Sequence, residues 1–208
     1  MFSPGFAFPA GGRTNRRNVH QNYIVYKPFQ VLSQFSPLEG KATLKDFFPL
    51  PADVYPIGRL DFDSEGLLIL TNDRRLNHRL LDPAFAHERE YWVQVEGTIS
   101  PDALRQLETG VTINIDGKPY TTRPAKAKLI APTVPDRNPP IRYRAQIPTC
   151  WISLTLKEGK NHQVRKMTAR TGFPTLRLIR YRIERVTIEG LQPGEMREIR
   201  MEDITLPT

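Results

Sequence analysis

Apolar and polar positions follow two rhythms along this chain, and together they predict its elements. Tyr23-Ile24-Val25-Tyr26 has strand composition and is stopped by Pro28, which lacks the N–H that a ladder needs. Leu67-Leu68-Ile69-Leu70 is a continuous apolar run, expected as a buried strand. Behind the capping side chains of Thr71-Asn72-Asp73, Leu76, Leu80 and Leu81 recur at helical spacing until Pro83 closes a short helix. Tyr91, Val93 and Val95 alternate with Trp92, Gln94 and Glu96, which puts one set on a single face of a strand ended by Gly97.

The same signals continue downstream. Ser100 is expected to cap a helix with Pro101 at its first position, Leu104 and Leu107 facing inward and Gly110 as a left-handed stop. Asp116-Gly117 marks a hairpin turn. Pro132 to Pro148, with Pro135, Pro139 and Pro140 set among Arg137, Arg142 and Arg144, reads as an irregular basic insertion. Trp151 to Leu156 alternates again, Glu158-Gly159 turns the chain, and Asn161 to Thr171 is expected as a helix ended by Gly172 and Pro174. Strands are expected from Leu176 to Tyr181 and from Arg185 to Ile188. Hairpin signals and an irregular alternation of elements predict an α+β fold with a mostly antiparallel sheet, not a doubly wound one.

Residues 1–22 lack this patterning. Arg13, Arg16 and Arg17 stand there with no acidic residue before Glu39, so the segment is read as a disordered basic arm outside a folded domain of residues 23–208. An RNA-touching or solvated tail is preferred to a transit peptide.

Composition narrows the partner. A chain of 208 residues with 39% hydrophobic content can bury a real core, and 30 Lys and Arg against 22 Asp and Glu give a formal charge of +8, favouring a polyanion such as nucleic acid. Cys150 is the only cysteine, which excludes an internal disulfide and zinc-finger spacing and points to a reducing compartment. The Leu67 to Leu70 run is far short of the ~20 apolar residues that cross a bilayer, and Met1 to Pro9 lacks a signal-peptide apolar segment, so a soluble cytoplasmic protein is expected.

One loop carries candidate chemistry. Gly58-Arg59-Leu60-Asp61-Phe62-Asp63-Ser64-Glu65-Gly66 crowds three acids into five positions ahead of the apolar run. A calcium loop is disfavoured because Asn72 stands where its last ligand, a glutamate, is required. Taken alone, the loop is a capped turn in which Asp61 or Asp63 bonds nearby amides. A metal-dependent nuclease built on Asp61, Asp63 and Glu65 lacks further acidic clustering.

The sixteen residues Gly58 to Asp73, together with Arg89 to Gly97 and Glu158 to Met167, resemble the signature blocks of the RsuA/RluE family of RNA pseudouridine synthases. The resemblance runs from about Tyr26 to the last strands. It is nearest the RluE branch, through the runs Lys27 to Phe35, Arg137 to Arg142 and Gly172 to Tyr181. Only a short basic arm precedes the catalytic part, without the S4 domain that many relatives carry. The family implies a bipartite, mostly antiparallel sheet with a cleft between two subdomains, no cofactor, no metal, a monomer, and a uridine in 23S ribosomal RNA as target. Asp61 would be the catalytic residue, Tyr91 the active-site tyrosine, and Arg165 the basic partner that holds Asp61 ionised. Arg59, Lys160 and the arm residues Arg13, Arg16 and Arg17 would meet RNA. Ser64 replaces a frequent Thr, and Lys160 and His162 stand where close relatives often have Arg. The alternatives are a noncatalytic RNA-binding or ribosome-assembly protein on the same fold, or a synthase acting on 16S rRNA or tRNA.

Overall fold

A computed structural model describes residues 20–142, 144 and 146–204 of the chain. The N-terminal segment opens with β1 (Asn22–Lys27), the short pair β2 (Val31–Leu32) and β3 (Ala42–Thr43), β4 (Tyr55–Pro56) and β5 (Glu65–Thr71). Helix α1 (Arg74–Leu81), β6 (Arg89–Glu96), α2 (Pro101–Thr109) and the hairpin of β7 (Thr112–Ile115) and β8 (Lys118–Thr121) follow. The C-terminal part holds β9 (Lys126–Ile130), β10 (Thr149–Leu156), α3 (Gln163–Arg170), β11 (Thr175–Ile183), β12 (Val186–Thr187) and β13 (Met196–Glu198). The expected α+β class is borne out.

One nine-stranded sheet runs β13-β1-β5-β11-β6-β10-β9, with β12 beside β11 and β4 beside β5. Every pairing in it is antiparallel except β11 with β5, which is parallel. All seven residues of β5 are buried, because its two faces serve different cores. Leu67 and Ile69 pack with Ile24, Leu76, Leu80 and Ile179, whereas Leu68 and Leu70 pack with Val25, Val31, Leu44 and Phe48. A third cluster joins Val93, Val95, Ile152 and Leu154 to Leu107 of α2 and Met167 of α3. Each such buried aliphatic side chain contributes about 1.5–3 kcal/mol of transfer free energy, so the apolar runs decide where the sheet lies.

The elements that sequence patterning predicts lie within a few residues of their expected positions, with three departures, whereas β2, β3, β4, β9 and β13 are not anticipated. Leu81 is exposed, since α1 turns only Leu76 and Leu80 inward. Gly110 ends α2 at φ 103° and ψ 142°, a mirror-image extended geometry instead of the expected left-handed helical one. Helix α3 starts at Gln163, two residues after Asn161, because His162 has φ 52° and ψ 29° and so cannot belong to a right-handed turn. Residues 132–148 form no helix and no strand before Thr149 among the described positions, as expected of the insertion.

Candidate functional site

The acidic loop is clamped at several points. Leu60 both donates its N–H to and accepts from the buried Ser33 hydroxyl, at 3.0 and 2.8 Å, and Gln30 N–H donates to Phe62 O at 2.9 Å. Ser64 N–H donates to Asp61 O at 3.1 Å and closes a turn. At the loop's end, Gly66 has φ 106°, and a Cβ there would lie 2.4 Å from Arg180 O across the parallel pairing of β5 and β11. Only glycine lets the two strands approach so closely.

These contacts deliver Asp61 to the wall of a cavity of about 360 Å³. That volume suits a small-molecule-sized group, for which sites span roughly 300–1,000 Å³. Tyr91 of β6, Arg180 of β11 and the segment Lys157 to Val164 also line it. Tyr91 lies opposite Leu154 in β10 and Arg180 in β11, so the cross-strand register brings the phenol and the acidic loop to one place. Arg59, Arg89, Arg123, Lys157 and Lys160 complete a cationic wall. Arg59 is exposed, and Lys160 lies 5.1 Å from the centre of the Tyr120 ring.

The turn from Glu158 to His162 is held by Glu158. Its carboxylate accepts from the Tyr120 hydroxyl, from Gln163 Nε2 at 2.7 Å and from the Arg123 N–H at 2.9 Å. The bond to Glu158 and burial raise the Tyr120 pKa. Thus the β7–β8 hairpin, which no motif in the sequence marked as functional, positions the turn that carries Lys160 and His162.

Arg165 does not pair with Asp61. Its Nη2 donates to Asp63 O at 2.7 Å and lies 3.2 Å from Asp63 Oδ2, so this arginine ties the neighbouring acid to α3. The basic side chain beside Asp61 is instead His162, with Nδ1 3.4 Å from Asp61 Oδ2. Spacing along α3 could not discriminate between the two acids, because they stand two residues apart on a turn whose shape is set by Ser33 and Gln30. Asp61, Asp63 and His162 are the residues able to hold a cation, with one ligand atom each within 4.8 Å of the others. Arg165 already neutralises Asp63.

Three buried cations flank the loop. Arg177 makes a bidentate pair with Glu65, both contacts at 2.8 Å, and donates Nη1 to Pro135 O of the insertion at 2.8 Å. Lys27, fully buried, donates to Val31 O at 2.7 Å and Pro28 O at 2.9 Å, and burial pushes its ammonium down to about 7 against the pull of Glu65, Asp61 and Asp63. Arg180 is the third. Arg13, Arg16 and Arg17 lie outside the described residues. Among those described, no helix is long and apolar enough to cross a membrane.

Known proteins of the same build supply the remaining identification. The RNA pseudouridylate synthase family profile matches residues 21–170. Ribosomal large subunit pseudouridine synthase E of Vibrio parahaemolyticus is 49% identical over 179 residues, covering 86% of this chain and 73% of its own. The protein of the same name from Xanthomonas campestris is 48% identical over 178 residues, covering 84% and 92%. A crystal structure of a pseudouridylate synthase superposes with a TM-score of 0.72 at 26% identity, covering 89% of this chain and 72% of the other. The resemblance drawn from the three sequence blocks is borne out, and the protein belongs to the RNA pseudouridylate synthase family.

Proposed function

We propose that this synthase isomerises a uridine of large-subunit ribosomal RNA and that Asp61 carries the reaction. The observation that supports the assignment most is that Asp61 and Tyr91, distant in sequence, face one cation-walled cavity. The reaction breaks the bond from uracil N1 to ribose C1′, joins C5 to C1′ and releases the C5 proton, while N1 takes up a proton. A base must first leave its stack, at a cost of a few kcal/mol that phosphate contacts and the cavity offset. Arg59 and Lys160, which line the same cavity, would contact the displaced backbone. The Asp61 carboxylate acts on the ribose, either by bonding to C1′ or by removing a ribose proton to give a glycal, and Tyr91 stacks on the base and assists the proton leaving C5.

Release of tritium from 5-tritiated uridine in RNA reports isomerisation directly. Asp61→Asn keeps the shape of the side chain and should lower release by about 10³-fold or more, with RNA affinity changed less than about threefold. Turnover retained in this variant would refute the role of Asp61, and RNA binding without release by the unaltered protein would favour the noncatalytic alternative. The named relatives support a large-subunit target. Mapping pseudouridine in ribosomal RNA with and without the gene tests it, and a site lost from 16S rRNA or tRNA instead would overturn it.

A further inference from the structure

Two arginines three residues apart on β11 point below the acidic loop, and their surroundings differ. Arg177 is satisfied by Glu65 and Pro135, which accounts for its charge structurally. Arg180 is equally buried, 5% exposed, yet forms no ion pair with any carboxylate among the described residues. Its Nε donates to Leu67 O at 2.8 Å and its Nη1 lies 3.5 Å from Arg59 O, so the guanidinium touches the chain on both sides of Asp61. Nη2 is buried without a hydrogen-bond partner. A buried ion satisfied only in part is destabilising, and an apolar side chain in its place would be the more stable solution.

The side chains that favour the charged form of Arg180 are the Tyr91 hydroxyl, on its cross-strand partner, and the Asp61 carboxylate. Three other basic side chains near the loop are committed elsewhere. Arg165 holds Asp63, Arg89 donates to His87 O and Leu80 O, and Lys27 donates to two carbonyls.

We propose that Arg180 is a positioning residue for the reaction: it fixes the Asp61 loop at Arg59 and Leu67 and supplies the permanent positive charge that keeps the Asp61 carboxylate and the Tyr91 hydroxyl aligned beneath the bound nucleotide. The proposal rests on the reading of Asp61 as the reacting group. When RNA covers the cavity and removes water, the attraction between Arg180 and Asp61 strengthens at the moment the carboxylate must act.

The test compares Arg180→Met, Arg180→Gln and Arg180→Lys with the unaltered enzyme in single-turnover tritium release, RNA affinity and thermal unfolding. The Met variant should lose about 100-fold or more in rate with affinity within about threefold, while its Tm holds or rises. The Lys variant, which keeps the charge but cannot span both carbonyls, should recover at least about tenfold over Met and over Gln. Equal rates for Lys and Gln, or rate losses that track losses in Tm, would overturn the proposal, and the Gln and Lys pair decides even if the Met variant does not fold. Asp61→Asn run in parallel separates the two readings. An active Asp61→Asn removes the premise, whereas an inactive Asp61→Asn beside a fully active Arg180→Met refutes Arg180 alone.

Discussion

At the scale of single residues, the site is a set of cations held to different ends, and Lys27 shows what that costs. Its pKa falls from the ordinary 10.5 to about 7 because burial disfavours the ammonium. Between those values the unfolded chain binds one proton more than the folded one, so stability rises with pH across this window, and the whole cost is present below pH 7. Chemical unfolding at pH 6 and at pH 10 should therefore show a gain at the higher pH on the order of a few kcal/mol, absent in Lys27→Met. Parallel pH dependence in the two proteins would show that Lys27 titrates normally. Sequence reading singled out Asp61 and Tyr91 as candidates because their motifs are contiguous. It missed Arg180 because an arginine within an alternating strand reads as a solvated position, and only the parallel contact with Gly66 reveals that it is covered. His162 was set aside as a substitution for arginine, yet it is the side chain next to Asp61.

At the scale of elements, one buried pair joins three of them. Arg177 of β11 grips Glu65 at the start of β5 and Pro135 of the insertion, so strand, acidic loop and insertion share one ionic knot. Removing one partner leaves the other charge buried and unpaired. Glu65→Gln or Arg177→Met should cost about 3–5 kcal/mol in denaturant unfolding, and Glu65→Leu with Arg177→Met should recover most of it. Single losses below about 1 kcal/mol would mean that water reaches the pair. The helices and inner strands were legible because their apolar spacing coincides with burial. β9 was not, since its Lys126-Ala127-Lys128 pattern belongs to an edge strand facing solvent, where lysines discourage further pairing. β13 was missed for the same reason: all three of its residues are exposed.

At the scale of the whole molecule, net charge and cavity act together. The cationic wall lies within the described residues, and the sequence before them holds Arg13, Arg16 and Arg17. If all three meet phosphates, deleting residues 1–17 should reduce the slope of log affinity against log salt by roughly 2. An unchanged slope would make the arm a bystander in binding.

The central position of β11 has a consequence for when the protein can work. Strand β5, which follows the Asp61 loop, and β6, which carries Tyr91, are not neighbours in the sheet order; residues 175–183 are inserted between them. Synthesis runs from the N-terminus, so a nascent chain lacks the strand that unites Asp61 with Tyr91 until nearly all of its codons have been read. Asp61 and Tyr91 are therefore brought to one cavity only after residues 175–183 have been made. A product ending before Thr175 should show no tritium release and would leave β1, β5 and β6 each with an edge open to intermolecular pairing.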